Sequence, residues 1–517
     1  MLGELFFHFN RGRYRILHLT WFAFFLSFVV WFNFAPFATS VKADFGLEIG
    51  QVRTIAICNV ALTVPARVII GMLLDKYGPR ITYSLLLMYA AIPCLTFALA
   101  QNFSQLVISR LALGIVGAGF VIGIRMVAEW FPPKEIGLAE GIYGGWGNFG
   151  SAAAAFSLPT IAGWVAFGAV NPLTGEAMLN WRAAIALTGI MAAVYGAIYF
   201  FSVKDTPDGK VYQRPSKAGG IEVTTKKDFW FLLLMNMPLI GILGVLAWRL
   251  KKVGFLEPTA LYIIWVFLAG LYLFQAYGCW EANKDLMTGK KHYPPEDRYN
   301  FSQVAILELT YIVNFGSELA VVSMLPAFFE GTFGLTKQAA GMIAASYAFM
   351  NLMSRPGGGL ISDKLGSRKN TMAVLTAGMS IGYLVMSTVT GSWFLPIAVL
   401  LTMCCSFFVQ AAEGSTFAIV PLVKRRITGQ IAGNVGAYGN VGAVAYLTLF
   451  SLVPEGAVGN SIFFQTLGTA GMIVAFLCWF VLKEPKGSFS EHHEGEEDFV
   501  HPPISDRVDD SPIYSDR

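Results

Sequence analysis

Apolar runs of about twenty residues recur along the whole chain, with short polar loops between them. A run of that length crosses the ~30 Å hydrocarbon core of a bilayer as one helix. The pattern predicts spans near 16–38, 53–74, 81–100, 105–131, 137–156 and 183–201. Six more follow near 304–329, 339–361, 371–389, 394–423, 429–452 and 462–482. Between the two sets, 204–303 is too long for a simple loop and holds two further runs, 229–248 and 258–277. Counted as extra spans, they bring the total to about 14. The predicted architecture is an all-α integral membrane protein in four parts. These are a six-helix bundle over 1–203, an insert over 204–303, a second six-helix bundle over 304–486, and a tail over 487–517. The tail is acidic (Glu491, Glu494, Glu496, Glu497, Asp498) and is expected to be disordered.

Composition agrees with the pattern. Hydrophobic residues make up 55% of the chain and charged ones 14%, where soluble domains carry about 25% charged residues. The net charge of +4 is spread over loops, and no basic, aromatic-interleaved patch suggests nucleic acid. Lys76, Arg80, Lys134, Lys364, Arg368, Lys369, Lys424, Arg425, Arg426, Lys483 and Lys486 all fall on one side of the predicted spans. The positive-inside rule makes that side cytoplasmic, with both termini, in the cell membrane. Arg249 to Lys252 lie on the other side against the rule, so a re-entrant hairpin is the alternative for the insert. Arg11, Arg13 and Arg15 precede an apolar run too long for the core of a cleaved signal peptide. The cysteines (Cys58, Cys94, Cys279, Cys404, Cys405, Cys478) sit almost entirely in apolar runs without a CxxC pair. They read as buried thiols, and no metal or cofactor is expected. Gly-x-Ser-x-Gly and His-Glu-x-x-His motifs are absent, and none of the six histidines falls mid-span, which disfavours a membrane enzyme or haem protein.

One spelling occurs twice. Arg67-x-x-x-Gly71-x-x-x-Asp75-x-x-Gly78-x-Arg80 returns as Arg355-x-x-x-Gly359-x-x-x-Asp363-x-x-Gly366-x-Arg368, 288 residues later (355 − 67). A second motif does the same: Gly141-x-x-Gly144-x-x-Gly147-Asn148-x-Gly150 recurs as Gly433-x-x-Gly436-x-x-Gly439-Asn440-x-Gly442, offset by 292 (433 − 141). An even number of spans separates the copies, so the halves are parallel repeats. Glycines at this spacing let helices approach closely. Arg67 and Arg355 each lie inside an apolar run, at a cost of at least ~2.5–3.5 kcal/mol, and such residues face a bundle interior or cavity. A guanidinium is a planar fork of donors suited to an oxyanion. The bland alternative for each is a structural arginine paired with a carboxylate or backbone carbonyls. Glu318 and Glu413 are also expected inside their spans, either as proton-coupling groups or as fixed counter-ions. Glu129 and Glu140 lie nearer helix ends and read as loop or gate contacts, whereas Arg110 and Arg125 read as structural.

These motifs resemble the nitrate/nitrite porters, the NarK-like family of the major facilitator superfamily. The resemblance covers nearly all of the chain except 204–303 and the tail, and the two extra spans depart from the family's twelve-helix plan. It implies that Arg67 and Arg355 clamp the anion. It implies that Phe120, in Gly117-Ala118-Gly119-Phe120, and Tyr311 and Phe315, followed by Gly316-Ser317, sandwich it, and that Asn148 and Asn440 serve as amide donors. Gly147 and Gly439 are expected at the anion, while Gly141, Gly144, Gly433 and Gly436 belong to the structural motif that packs the helices. Transport of nitrate or nitrite by alternating access follows as the expected function, with proton symport ahead of antiport. Rival classes are a facilitator for another small or organic anion and a nitrate sensor. Substrate preference, direction, coupling and oligomeric state stay open.

Overall fold

The computed structural model describes residues 12–164, 179–215, 220–252, 254–454 and 456–491. The N-terminal arginine Arg11 and the tail from 492, with His492, His493, His501 and most of its acidic residues, lie outside the described residues. Every described element is helical, and eleven stretches are long and apolar enough to cross a membrane. The helices that position the site are α1 (Gly12–Phe32), α2 (Thr63–Tyr77), α3 (Pro79–Tyr89), α4 (Gly119–Trp130), α5 (Ile136–Asn148) and α6 (Trp181–Ser202). They continue with α7 (Lys226–Lys252), α8 (Pro258–Met287), α9 (Phe301–Tyr311), α10 (Ser317–Phe333), α11 (Asn351–Lys364), α12 (Arg368–Met386), α13 (Leu395–Phe417), α14 (Thr428–Leu452) and α15 (Ala457–Phe480).

Three of the expected spans, those around α5, α11 and α12, are helical but fall short of the eleven on length and apolarity. The reason is local. α5 is glycine-rich and breaks at Phe149, α11 carries Arg355, Asp363 and Lys364, and α12 starts on Arg368 and Lys369. The motif loops need glycine: Gly78 (φ 91°) and Gly366 (φ 70°) turn the chain with a positive φ that other residues rarely adopt.

The insert helices are 27 and 30 residues long, enough for each to cross fully. α7 lies over the seam between the halves: Leu239 and Ile242 pack with Val64 next to α2's Arg67 turn and with Tyr438 and Val441 of α14. α8 packs on α7 and leaves Val266 and Phe274 exposed, as a lipid-facing helix would. At the basic end, Glu222 and Asp297 hold the loop ahead of α14. Arg426 donates to Glu222 at 3.0 Å and to Asp297 at 2.9 Å, Lys291 lies 3.2 Å from Glu222, and Lys424 pairs with Asp297. Burial would raise the Glu222 carboxyl, but bonds from the Tyr293 hydroxyl and Arg426 outweigh it and hold it below the ordinary value. Asp297 is held low in the same way by Arg426 and Lys424.

The tail was expected to be disordered from 487, yet its first residues pack on the basic face. Ser488 is 3% exposed, its carbonyl accepts from Arg368 Nη2 at 3.1 Å, and the Ser490 carbonyl accepts from the Lys134 amide at 3.2 Å. Arg368, a buried guanidinium needing acceptors, supplies the physical reason.

Candidate functional site

Each motif arginine lies against the glycine helix of the other half. Arg67 of α2 is wholly buried; its Nε donates to the Gly117 carbonyl at 3.2 Å and its Nη1 to that of Gly436 on α14 at 2.5 Å. A Cβ placed on Gly433 would stand 2.5 Å from the Arg67 carbonyl oxygen, and one on Gly436 would stand 3.2 Å from its Cδ. The mirror arrangement holds Arg355 of α11 against α5. There a Cβ on Gly141 would stand 2.6 Å from the Arg355 carbonyl oxygen, and one on Gly144 would stand 3.0 Å from its Nε. The glycines therefore admit a long cationic side chain between two closely packed helices.

The partners differ between the halves. Arg355 Nη2 donates to the Tyr311 hydroxyl at 2.8 Å and pairs with Glu413 Oε2 at 2.9 Å, while its Nη1 is buried without a partner. Glu413 lies within hydrogen-bonding reach of Glu318. Glu318 Oε1 accepts from Asn351 Nδ2 at 2.6 Å and from Gln410 Nε2 at 3.0 Å. The two carboxylates thus form one buried pair on the Arg355 side.

Two breaks in helix regularity place the rings. A 3₁₀ turn, Gly114–Ala118, precedes Phe120, and a π turn, Ile312–Gly316, joins α9 to α10 and carries Phe315. Single π turns inside helices gather at functional sites. Phe120 and Tyr311 stack with centroids 6.1 Å apart and planes 4° from parallel; Tyr311 and Phe315 stack at 5.0 Å and 2°. Arg67 Cζ stands 5.4 Å from the centroids of both Phe120 and Phe315. Arg355 Cζ stands 5.4 Å from Phe120 and 6.0 Å from Phe315. The guanidiniums converge on the same two rings and lie no farther apart than twice 5.4 Å. Neither faces lipid. Asn148 and Asn440 sit one turn beyond Gly144 and Gly436, each with a buried Oδ1 lacking a partner. Gly439 faces Tyr311 and Phe315, whereas Gly147 faces Phe24. Tyr143, not among the sequence-derived residues, stacks on Phe120 at 6.1 Å and 16°. Its signal was a ring inside the first glycine motif, where the second copy has Val435.

The repeated spelling of the loops ties the two halves together at the basic face. Asp75 accepts from the amides of Gly429 and Gln430 at the start of α14, both at 2.9 Å. Asp363 accepts from Gly137 at 3.0 Å and Leu138 at 2.7 Å at the start of α5. A carboxylate at a helix N-terminus is favoured by the free amides and the helix dipole. Gly71 and Gly359 permit these crossings, facing the backbone of Gly429 and Gly137. Arg368 joins Asp363 at 2.7 Å and the Pro133 carbonyl at 2.6 Å; Arg80 holds the Phe200 carbonyl at 2.8 Å. Arg125, read from sequence as structural, pairs with Glu129 at 2.8 Å, and Glu129 pairs with Arg425 at 3.0 Å. Arg110 bonds the Trp31 carbonyl and Asn33 in the first half. Glu140 makes no gate contact; it is buried, and neither oxygen has a partner.

A helical membrane protein with a buried cationic centre has the build of a carrier, and similarity to known proteins agrees. The Major Facilitator Superfamily model matches residues 20–291 and 307–512. The chain is 70% identical to the nitrate/nitrite transporter NrtP of a Picosynechococcus species, over 98% of this chain and 100% of that one. It is 58% identical to NrtP of Nostoc punctiforme, over 94% and 95% respectively. The solved proton:xylose symporter XylE shares the fold, with a TM-score of 0.60 at 15% identity over 92% of this chain and 97% of that one. The chain therefore belongs to the nitrate/nitrite porter family of the Major Facilitator Superfamily and is a transporter, not an enzyme.

Proposed function

We propose that this protein carries nitrate and/or nitrite across the cell membrane by alternating access, with the anion held between Arg67 and Arg355 and the Phe120, Tyr311 and Phe315 rings. One observation carries the reading: both guanidiniums stand within 5.4–6.0 Å of the Phe120 and Phe315 rings, each of which stacks on Tyr311. A flat, singly charged oxyanion suits parallel rings and two donor forks. The buried amides of Asn148 and Asn440 flank it. The basic face is cytoplasmic, and the gate residues Gly71, Asp75, Gly78, Arg80 and their counterparts Gly359, Asp363, Gly366 and Arg368 hold it closed here.

Charge favours import with a proton. Arg67 and Arg355 balance Glu318 and Glu413 when both acids are ionised, so the unloaded centre is neutral. A bound monovalent anion leaves one negative charge, and one proton shared by Glu318 and Glu413 restores neutrality. Neutral loaded and unloaded centres both avoid the cost of closing around an uncompensated charge. Antiport would instead follow if these acids do not reach the centre, because the arginine pair alone carries +2 empty and +1 loaded, and the loaded form is then the easier one to close around. Labelled nitrate and nitrite flux through proteoliposomes tests the clamp: Arg67→Lys and Arg355→Lys keep charge but lose the fork, and each is expected to weaken transport strongly. Wild-type-like flux in both overturns it. Robust counterflow with no stimulation by an inward proton gradient overturns symport.

A further inference from the structure

Two buried carboxyls outside the anion centre and the gate stand without an ion pair, whereas Glu222 and Asp228 have partners. Glu140 on α5 is 2% exposed and Glu308 on α9 is 1% exposed. Both oxygens of Glu140 and Oε2 of Glu308 meet no hydrogen-bond partner. They share a local spelling, Glu140-Gly-Ile-Tyr143 on α5 and Glu308-Leu-Thr-Tyr311 on α9, although they are not repeat counterparts, since the position matching Glu140 in the second half is Ala432. At i, i+3 each acid lies about one turn nearer the basic face than its tyrosine, on the same side of its helix. The two tyrosines each stack on Phe120 with centroids 6.1 Å away. Along α5 the order is Gly137, bonded by the gate's Asp363, then Glu140, then Gly144 against Arg355. One acid from each half therefore stands between the anion centre and the gate.

The charges on neighbouring helices are engaged elsewhere. Around α5, Arg13 of α1 pairs with Glu135 at 2.8 Å, Arg125 of α4 with Glu129, Arg355 of α11 with Glu413, and Asp363 with Arg368. Arg15 and Lys364 are exposed at helix ends, Lys134 pairs with Glu491, and His18 accepts from Trp21. Around α9, helices α14 and α15 carry no charged residue, and Tyr438 of α14 is the titratable side chain facing Glu308. Asp228 at the start of α7 bonds Thr225, beside exposed Lys226 and Lys227, and Glu413 of α13 is paired as above. Among the described residues no cation is paired with either acid.

We propose that Glu140 and Glu308 are proton-binding residues of the gate, each taking up a proton when the basic face closes and releasing it when that face opens to water. An unpaired carboxyl away from water keeps its proton rather than its charge; hydration on opening removes that constraint. Low pH on the basic side therefore holds the gate shut and high pH opens it. The inference uses the alternating-access reading but not proton symport, since the protons are exchanged with one side.

Hydrogen exchange at the gate amides of Gly429 and Gln430, corrected for the intrinsic pH dependence of exchange, tests it in the full-length protein without substrate flux. Protection in the wild type is expected to fall by up to roughly tenfold per pH unit for each proton released. Glu140→Gln and Glu308→Gln, neutral isosteres of the protonated acids, are each expected to reduce that slope. The double variant should keep wild-type melting and lose the slope, with the gate protected at every pH. A slope unchanged in the double variant, or no slope in the wild type, overturns the inference. Failure of proton-driven uptake with this slope intact would instead count against symport alone.

Discussion

Gly433→Ala puts the clamp's geometry at risk without touching a charged group. The added methyl would stand 2.5 Å from the Arg67 carbonyl oxygen and 3.3 Å from its carbon, both backbone atoms that no rotamer change can clear. Reaching an ordinary 3.4 Å contact requires α2 and α14 to part by about 0.9 Å (3.4 − 2.5) at the turn that carries Arg67. Overpacking of this kind costs about 1–3 kcal/mol, which a large helical core can bear. The effect on transport is larger, because a displacement of ~1 Å in a positioned group can cost about 100-fold. Gly357→Ala is the internal control: it lies two residues from Arg355 on α11, and a Cβ there meets nothing within 4 Å. Nitrate uptake into proteoliposomes, normalised to folded protein, should fall roughly 100-fold for Gly433→Ala and remain near wild type for Gly357→Ala. Wild-type uptake by Gly433→Ala, with its fold intact, would refute the claim that close helix approach sets the site.

Asp75→Asn removes the charge that two amides of α14 share; at about 2 kcal/mol for the lost charge-assisted bonds, the gate should shift roughly 30-fold toward opening. Spin-label distances across the basic face report that shift directly. Phe120→Ala removes a ring within 5.4 Å of both guanidiniums, and loss of about 1–2 kcal/mol should raise the KM for nitrate roughly tenfold. Glu222→Gln should lower the melting temperature at neutral pH by loosening the insert from the loop before α14. Because the Glu222 and Asp297 carboxyls are held below their ordinary values, that stabilisation is present above the unfolded-state values. It is lost only as pH falls through the depressed folded-state ones, below the ordinary carboxylate range. The melting gap should therefore close only in that acid range.

Much of this architecture was legible because membrane helices must be apolar and about 20 residues long. The same rule hides the helices that matter most. α5 and α11 meet each other rather than lipid, so glycine and arginine replace the apolar residues by which a span is recognised. Their spans were still readable as apolar runs, but their role showed only in the repeated spelling. A repeat gives height along a helix, but facing depends on the neighbour. Glu140 shows the limit: nearness to a loop suggested a gate contact, but its turn of α5 points inward beside Tyr143, where no donor waits. The anchoring of Ser488 by Arg368 was invisible for a similar reason, since a polar tail signals disorder only if nothing buried needs its carbonyls.

The doubled arginine motif also conceals an inequality with a consequence. Arg67 bonds only the carbonyls of Gly117 and Gly436, while Arg355 is matched by Glu413. The positive charge not matched by a directly paired carboxylate therefore sits on the Arg67 side, and the anion should depend on it most. Arg67→Gln is expected to abolish nitrate binding. Arg355→Gln should also be severe, but partly for a different reason: it leaves Glu413 buried without its cation, a loss of about 3–5 kcal/mol in typical buried pairs. Adding Glu413→Gln removes that penalty, so Arg355→Gln with Glu413→Gln should bind nitrate better than Arg355→Gln alone. Calorimetric titration of the purified variants measures each affinity. A double variant no better than the single would mean that Glu413 does not compensate Arg355 and that the two halves of the clamp are equivalent.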